Sequence, residues 1–404
     1  MNTRKKSVIS GSRIASWPAA LLAAVLLLLC APPLAEAAGR AAVRDSASRC
    51  ALPGATGWTD EGHDTDHSVF QRPTGTINVG MIFVDFPDAP ATEHPATAGA
   101  RITPGADWMW HASYGKVWPA ISQHQRWVRM PHRSTDYGFA RGLTHETHEA
   151  YLKDAVTAAD PSVDFSRYDT VYVVATRNAT AIPFTPTYIY EPGTRGVVAD
   201  GTRVKWAVTF GQDMWHWDHR LVGHETAHTF GLPDLYAFDA GSDAHRFTGG
   251  WDVMGLIGGA GSQYFAWHSW KLGWTGDDQV LCRATRGSDT VRLTAVGYHT
   301  GTKMAVLRTG PTTAYVVESR RAVNADAGAR STGALVYKVD SSVPTGKGPI
   351  RVIDARPATT PVGGRPLDDA PFASGRSFTD HSAGVRIEVL DADSSGDTVR
   401  VTKW

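Results

Sequence analysis

The chain has 404 residues, 42% hydrophobic and 10% aromatic, and its 40 Lys plus Arg balance 40 Asp plus Glu. A neutral chain with no basic block beyond its extreme N-terminus excludes nucleic acid as a partner, because neutralising phosphates needs a cationic excess. At this length two folded units are expected, and the 40 Gly and 23 Pro promise many turns.

Residues 1–37 read as a secretory signal peptide. Arg4, Lys5, Lys6 and Arg13 precede an apolar run from Ala19 to Cys30, and Ala35 and Ala37 flank Glu36 in a small-residue cleavage pattern, so removal is expected near Ala37. The run is short for a bilayer, and nothing later offers about 18 consecutive apolar residues. A secreted, extracellular chain without stable membrane insertion follows, acting as a monomer. Removal of the signal leaves Cys50 and Cys282, which an oxidising compartment favours joining. Residues 38–75 read as an N-terminal arm or short propeptide. Asp60, Glu61, His63, Asp64, Asp66 and His67 make it a flexible polar segment by composition, with a metal-blocking inhibitory arm as the alternative.

Residues 76–276 mix strand and helix periodicity. Ile77–Phe86 and Asp169–Ala175 are apolar, β-branched runs that read as buried strands. Between them Asp107–Trp118 carries core aromatics at helical spacing, and His145–Ala158 has helix-forming composition. A hairpin is expected with Val197–Ala199 and Val204–Phe210 either side of Asp200-Gly201. Trp215–Phe230 reads as one helix that stops at Gly231, with Pro233 beyond. Residues 277–404 change character to short β-rich runs punctuated by Gly, Pro, Asp and Ser, as in a β-sandwich. The fold class expected is therefore α/β (α+β), followed by an all-β sandwich-like C-terminal domain.

The chemistry concentrates in His224-Glu225-Thr226-Ala227-His228 and the Gly231-Leu232-Pro233-Asp234 that follows. Helix residues four apart share a face, so His224 and His228 present two imidazoles to one zinc ion. Glu225 beside them can take a proton from a zinc-activated water and return it to a leaving amine, the general-base role in metalloproteases. A strained turn at Gly231 swings the chain back so that Asp234 supplies the third ligand, with Asp239 and His245 in reserve. Met254, in the turn Gly249–Gly255, is placed to floor the metal site. Tyr236 and Tyr264 are candidates to assist an oxyanion, and Val204–Phe210 is the candidate edge for pairing with substrate backbone. His145 and His148 imitate the motif at the wrong spacing and read as a solvated helix start. His216 and His219 read as packing groups.

These segments resemble the immune inhibitor A family of secreted bacterial zinc metallopeptidases. The resemblance rests on HETAHTFGLPDLY (His224 to Tyr236), GGWDVMG (Gly249 to Gly255) and WHSWKLGW (Trp267 to Trp274). It is joined by VGMIFVDFPD (Val79 to Asp88), ASYGK (Ala112 to Lys116), DPSVDFSRYDTV (Asp160 to Val171), AYVVESR (Ala314 to Arg320) and GALVYKVD (Gly333 to Asp340). It implies a metzincin-like catalytic domain over residues 76–276, endopeptidase activity on protein or peptide substrates with Zn2+ as cofactor, and room for structural Ca2+. The short stretch before the first strand departs from the long propeptide such enzymes often carry. Two rival readings use the same residues differently: a secreted binding or adhesion protein with a remnant zinc site, and a zinc amidase acting on cell-wall peptide.

Overall fold

The central strands of the first sheet are covered on both faces, which is why their sequences run apolar without alternation. The computed structural model describes residues 45–239, 241–359 and 364–404, so the signal segment lies outside the described residues. In chain order come β1 (Gly75–Asp85), α1 (Pro95–Ile102), α2 (Pro104–Ala112), β2 (Val117–Arg129), α3 (His145–Ala159), β3 (Thr170–Ala175) and β4 (Thr187–Ile189). These are followed by β5 (Val197–Ala199), β6 (Thr202–Val204), β7 (Trp206–Phe210), α4 (Met214–Trp217), α5 (Arg220–Thr229) and α6 (Ala266–Lys271). The sheet order is β2-β1-β3-β7-β4, parallel except for β4, which runs antiparallel to β7.

Alternate residues of each strand feed different cores. Val79, Met81 and Phe83 of β1, with Tyr172 and Val174 of β3, join one cluster with Leu221, Val222 and Ala227 of α5. Ile82 and Val84, with Val171 and Val173, join the other, which Tyr151, Leu152, Ala155 and Val156 of α3 cover. The helix carrying the two motif histidines is thus laid on one face of the sheet by its own apolar stripe. Each of these leucine, valine and phenylalanine side chains contributes roughly 1.5–3 kcal/mol by leaving water.

Several expectations need correction. The aromatic helix ends at Ala112, because Tyr114 and Gly115 take positive φ of 56° and 74° and turn the chain into β2. Trp110 faces solvent rather than the core. Pro119 sits inside β2, which an edge strand tolerates because one side needs no ladder donors. The tight turn at Asp200-Gly201 forms, both residues at positive φ, but its second arm splits into β6 and β7. The expected single helix over Trp215–Phe230 breaks at Asp218, whose φ of 51° separates α4 from α5. Within the sheet β7 lies between β3 and β4, so Val204–Phe210 is not an edge. β4 takes that place.

The C-terminal region comprises β8 (Val280–Arg283), β9 (Gly287–Thr294), β10 (Met304–Arg308), β11 (Thr313–Arg320), β12 (Gly333–Asp340), β13 (Ile350–Ile353), β14 (Ser377–Asp380), β15 (Val385–Asp393) and β16 (Gly396–Lys403). They form two sheets, ordered β13-β12-β11-β10-β8 and β14-β15-β16-β9. Leu281, Leu307, Val317 and Val336 of the first sheet pack with Ile387, Val389, Val399 and Val401 of the second, as a sandwich requires. The first sheet's opposite face, including Val306, Val316, Leu335 and Tyr337, belongs to the same core cluster as α5 and β1. A disulfide between Cys50 and Cys282, 232 residues apart, bonds the arm to β8.

The arm is not the flexible polar segment its composition promised. Glu61 is wholly buried, Asp60 nearly so and His63 half-buried. Glu61 pairs with the distant His268 of α6 and His63 packs on Trp267 and Trp270, while Asp60 accepts N–H groups of the arm itself, from Ala55, Thr56 and Gly62. Among the described residues no helix is long and apolar enough to cross a membrane.

Candidate metal centre

Helix α5 ends in two backbone bonds that close a Schellman turn: Leu232 N–H donates to Ala227 O and Gly231 N–H to His228 O. This requires a left-handed residue at the cap, and Gly231 supplies it with φ 93°. The reversed chain brings Asp234 back over the helix face that carries the histidines. Asp234 Oδ1 lies 3.2 Å from His224 Nε2 and 3.3 Å from His228 Nε2.

Each imidazole is aimed by its other nitrogen. His224 Nδ1 donates to Val253 O at 2.9 Å and His228 Nδ1 to Leu232 O at 2.8 Å, an assignment of the ring proton that leaves both Nε2 atoms for a common ligand. Among the described residues, these three side chains gather their donor atoms within 4.8 Å of one another. Asp234 Oδ1 is buried and makes no well-aligned hydrogen bond. Two imidazole nitrogens and one carboxylate oxygen with an unsatisfied lone pair fit a zinc ion with a coordination position left over. Asp239, expected in reserve, is exposed and paired with Arg246, while His245 Nδ1 is tied to Gly255 O. For calcium, no second such side-chain group is present among the described residues.

The electrostatics are those of two imidazoles and a carboxylate packed together away from water. Burial opposes charge on His228, yet the Asp234 carboxylate raises its imidazole to about 9. Burial opposes charge on His224 as well, and the Asp234 carboxylate 3.2 Å away again raises it. Burial favours a neutral Asp234, but the two imidazoles hold its carboxyl well below the usual range. Glu225 is lifted to about 7 by burial, only partly opposed by the histidine charges and by Thr187. The Thr187 hydroxyl lies 2.8 Å from both Glu225 O and Glu225 Oε2, so β4 fixes the carboxylate from the side.

An open cleft of about 330 Å³ runs over this group. Its walls include Thr187 and Ile189 of β4, Tyr236, His145, Arg141 and Phe184, Trp58 and Thr59 of the arm, and Thr345 of the loop joining β12 to β13. That loop holds Asp234 from both sides: the Thr345 hydroxyl accepts from Asp234 N–H at 2.9 Å, and Gly346 N–H donates to Asp234 O. Sequence reasoning missed Thr187, Thr345, Trp58 and Thr59. No local pattern marks them, because each reaches the cleft only through tertiary packing.

The turn Gly249–Gly255, expected to floor the metal site with Met254, meets the helix and its cap through backbone carbonyls. Val253 O receives His224, and Met254 O receives Leu235 N–H at 3.0 Å, next to Asp234. The Met254 side chain is fully buried in the core. Tyr236 stands at the cleft, whereas Tyr264 lies beneath the helix with its hydroxyl donating to Gly223 O, away from the cleft. His148 is buried rather than solvated, 2.9 Å from the Thr209 hydroxyl, and His216 packs on Trp217. No protein-family model matches the chain, and no curated protein matches it.

Proposed function

We propose that the chain is a secreted zinc-dependent endopeptidase that hydrolyses peptide bonds of extracellular proteins, of the immune inhibitor A type and metzincin-like in its catalytic part. The observation that supports this most is the convergence of His224, His228 and Asp234 on one point at the floor of an open cleft, with the Glu225 carboxylate held beside them. When bound, zinc supplies Lewis-acid chemistry, acidifying water and polarising a carbonyl.

The protein's own groups do the rest. His224, His228 and Asp234 would hold the ion, the two imidazoles fixed by their Nδ1 protons, which are committed to Val253 and Leu232. Glu225, its Oε2 anchored by Thr187, accepts the proton of the attacking water and passes it to the leaving amine. A carboxylate in this place is what separates a hydrolase from a scaffold that merely binds metal. β4 has β7 on one side only and borders the cleft on the other, so an extended peptide can add to it as a further strand over Glu225.

The test is digestion of casein by the purified chain with and without a zinc chelator, followed by zinc add-back. Cleavage that the chelator abolishes and zinc restores supports the reading. Intact casein alongside digestion of cell-wall peptide would favour an amidase, and inertness towards both would favour a binding protein.

A further inference from the structure

We infer that Glu61, in the N-terminal arm, is a positioning residue for the metal centre, acting through His268 and Asp252 to hold the turn that aims His224. The inference rests on the reading of His224, His228 and Asp234 as metal ligands. It assigns the arm a permanent part in the folded enzyme, not that of a cover to be removed.

The contacts form one unbroken line of fully buried groups. Both oxygens of Glu61 face His268 Nε2, at 3.2 and 3.1 Å. On the far side of the ring, His268 Nδ1 lies 2.8 Å from Asp252 Oδ2. Asp252 is divided between two tasks. Its Oδ2 also accepts Phe265 N–H at 2.6 Å, fixing the entry to α6, and its Oδ1 accepts Met254 N–H at 2.7 Å, closing the turn. The residue between Asp252 and Met254 is Val253, whose carbonyl receives His224 Nδ1. Burial alone would strip His268 of its proton, but Glu61 and Asp252 raise it to about 10, so an imidazolium stands between two carboxylates.

An apolar trio of the same size would stabilise a core at least as well as this buried charged one. What the charged trio adds is direction, since each bond fixes the orientation of the next group. Remove the Glu61 carboxylate and His268 Nε2 loses its acceptor; the ring is free to rotate, and Asp252 loses the donor that sets its plane.

The arm is independently moored where this matters. Trp267 Nε1 donates to Glu61 O at 3.1 Å, and the Lys271 ammonium donates to Gly62 O and, at 2.9 Å, to the Thr65 hydroxyl. Further along, Gln71 N–H donates to Thr229 O, and Gln71 Oε1 accepts from the Thr229 hydroxyl at the end of the zinc-binding helix. Thr65 and Phe70 close over the Gly231 turn. The same short segment therefore backs the turn behind His224 and the turn that delivers Asp234.

The experiment measures zinc affinity, not hydrolysis, by chelator competition on the full chain at 25 °C. Glu61→Gln keeps shape and one acceptor but removes the charge, and zinc should bind more weakly, by up to the roughly tenfold that losing a direct partner of a metal-bound histidine costs. Asp380→Asn serves as the control, weakening the Tyr315–Asp380 hydrogen bond that ties β14 to β11 in the sandwich. It should lower thermal stability without touching zinc affinity. Glu61→Asp, which retains charge but shortens the reach, should lose a smaller factor and stands in if Glu61→Gln does not accumulate. Wild-type zinc affinity in the Glu61 variants, or an equal loss in Asp380→Asn, overturns the positioning role alone. A wild-type chain that takes up no zinc overturns the metal reading itself.

Discussion

Replacing Gly231 with Ala tests the turn that brings Asp234 to the two histidines. An alanine held at φ 93° carries left-handed strain of about 1–2 kcal/mol. Its Cβ would also stand 3.1 Å from Thr65 Cγ2 and 3.3 Å from Phe70 Cγ, so the arm must shift by a few tenths of an ångström, adding about 1 kcal/mol or more. The loss of unfolded-state freedom on replacing glycine offsets about 0.5 kcal/mol of this, leaving a net destabilisation of roughly 1.5–2.5 kcal/mol. Gly142→Ala is the matched control, because Gly142 has φ 88° but nothing within 4 Å of the place an added methyl group would take. It should lose only about 1 kcal/mol. Urea midpoints at constant slope give both values, and chelator competition on the same samples should show weakened zinc for Gly231→Ala alone. Equal stability losses, with zinc affinity unchanged in both, would refute the argument that the arm and the turn are packed against each other to place Asp234.

Glu225→Gln and Asp234→Ala should fail in opposite ways. The first keeps stoichiometric zinc while peptide hydrolysis falls by about 10²–10⁴, the second loses zinc on dialysis against a weak chelator while its circular dichroism stays native. Zinc lost from the first or retained by the second would reverse the roles. Burial pushes both His63 and His148 down to about 3, below their ordinary 6.5, so the unfolded chain binds more protons between those values and stability falls as pH drops below 6.5. The two groups alone should take away about 4 kcal/mol between pH 7.5 and pH 5. His63→Phe, which keeps the aromatic packing on Trp267 and Trp270, should flatten that limb in urea titrations, and an unaltered slope would count against it. Finally, Cys282→Ser should lower the urea-derived stability by about 5 kcal/mol, the chain-entropy value for a 232-residue separation, and a loss under 1 kcal/mol would show the unfolded chain to be little constrained.

What was legible in the sequence is what short-range periodicity encodes. His224 and His228 share a helix face by spacing alone, and the Gly231 cap lies within the same dozen residues, so the ligand group could be assembled on paper. The apolar runs of β1 and β3 announced buried strands for a similar reason. β2 escaped because its middle, Ser122–Arg126, is polar and half-exposed at a sheet edge, where alternation is weak. β4 has three residues, too few to show any period, yet it supplies Thr187 to Glu225. The arm misled for a different reason. Asp60 and Glu61 look solvated until His268, some two hundred positions later, is seen wholly buried with Lys271 half-buried beside it, both carrying charges that need partners. A histidine and a lysine on the inner face of WHSWKLGW were the available signal, and an acidic cluster elsewhere was its complement.

The Cys50–Cys282 bond has a bearing on how the chain withstands proteolysis. Glu61, Glu225, His224, His228, Asp234 and His268 all lie within the covalent loop it closes. A single backbone cut by a protease anywhere between those cysteines leaves the two pieces bonded through sulfur and held by the shared core. Such a nicked molecule migrates as one band before reduction and as two after it, and nicking in an exposed loop need not release any part of the site. Only a second cut inside the loop, or reduction of the bond, lets a fragment leave.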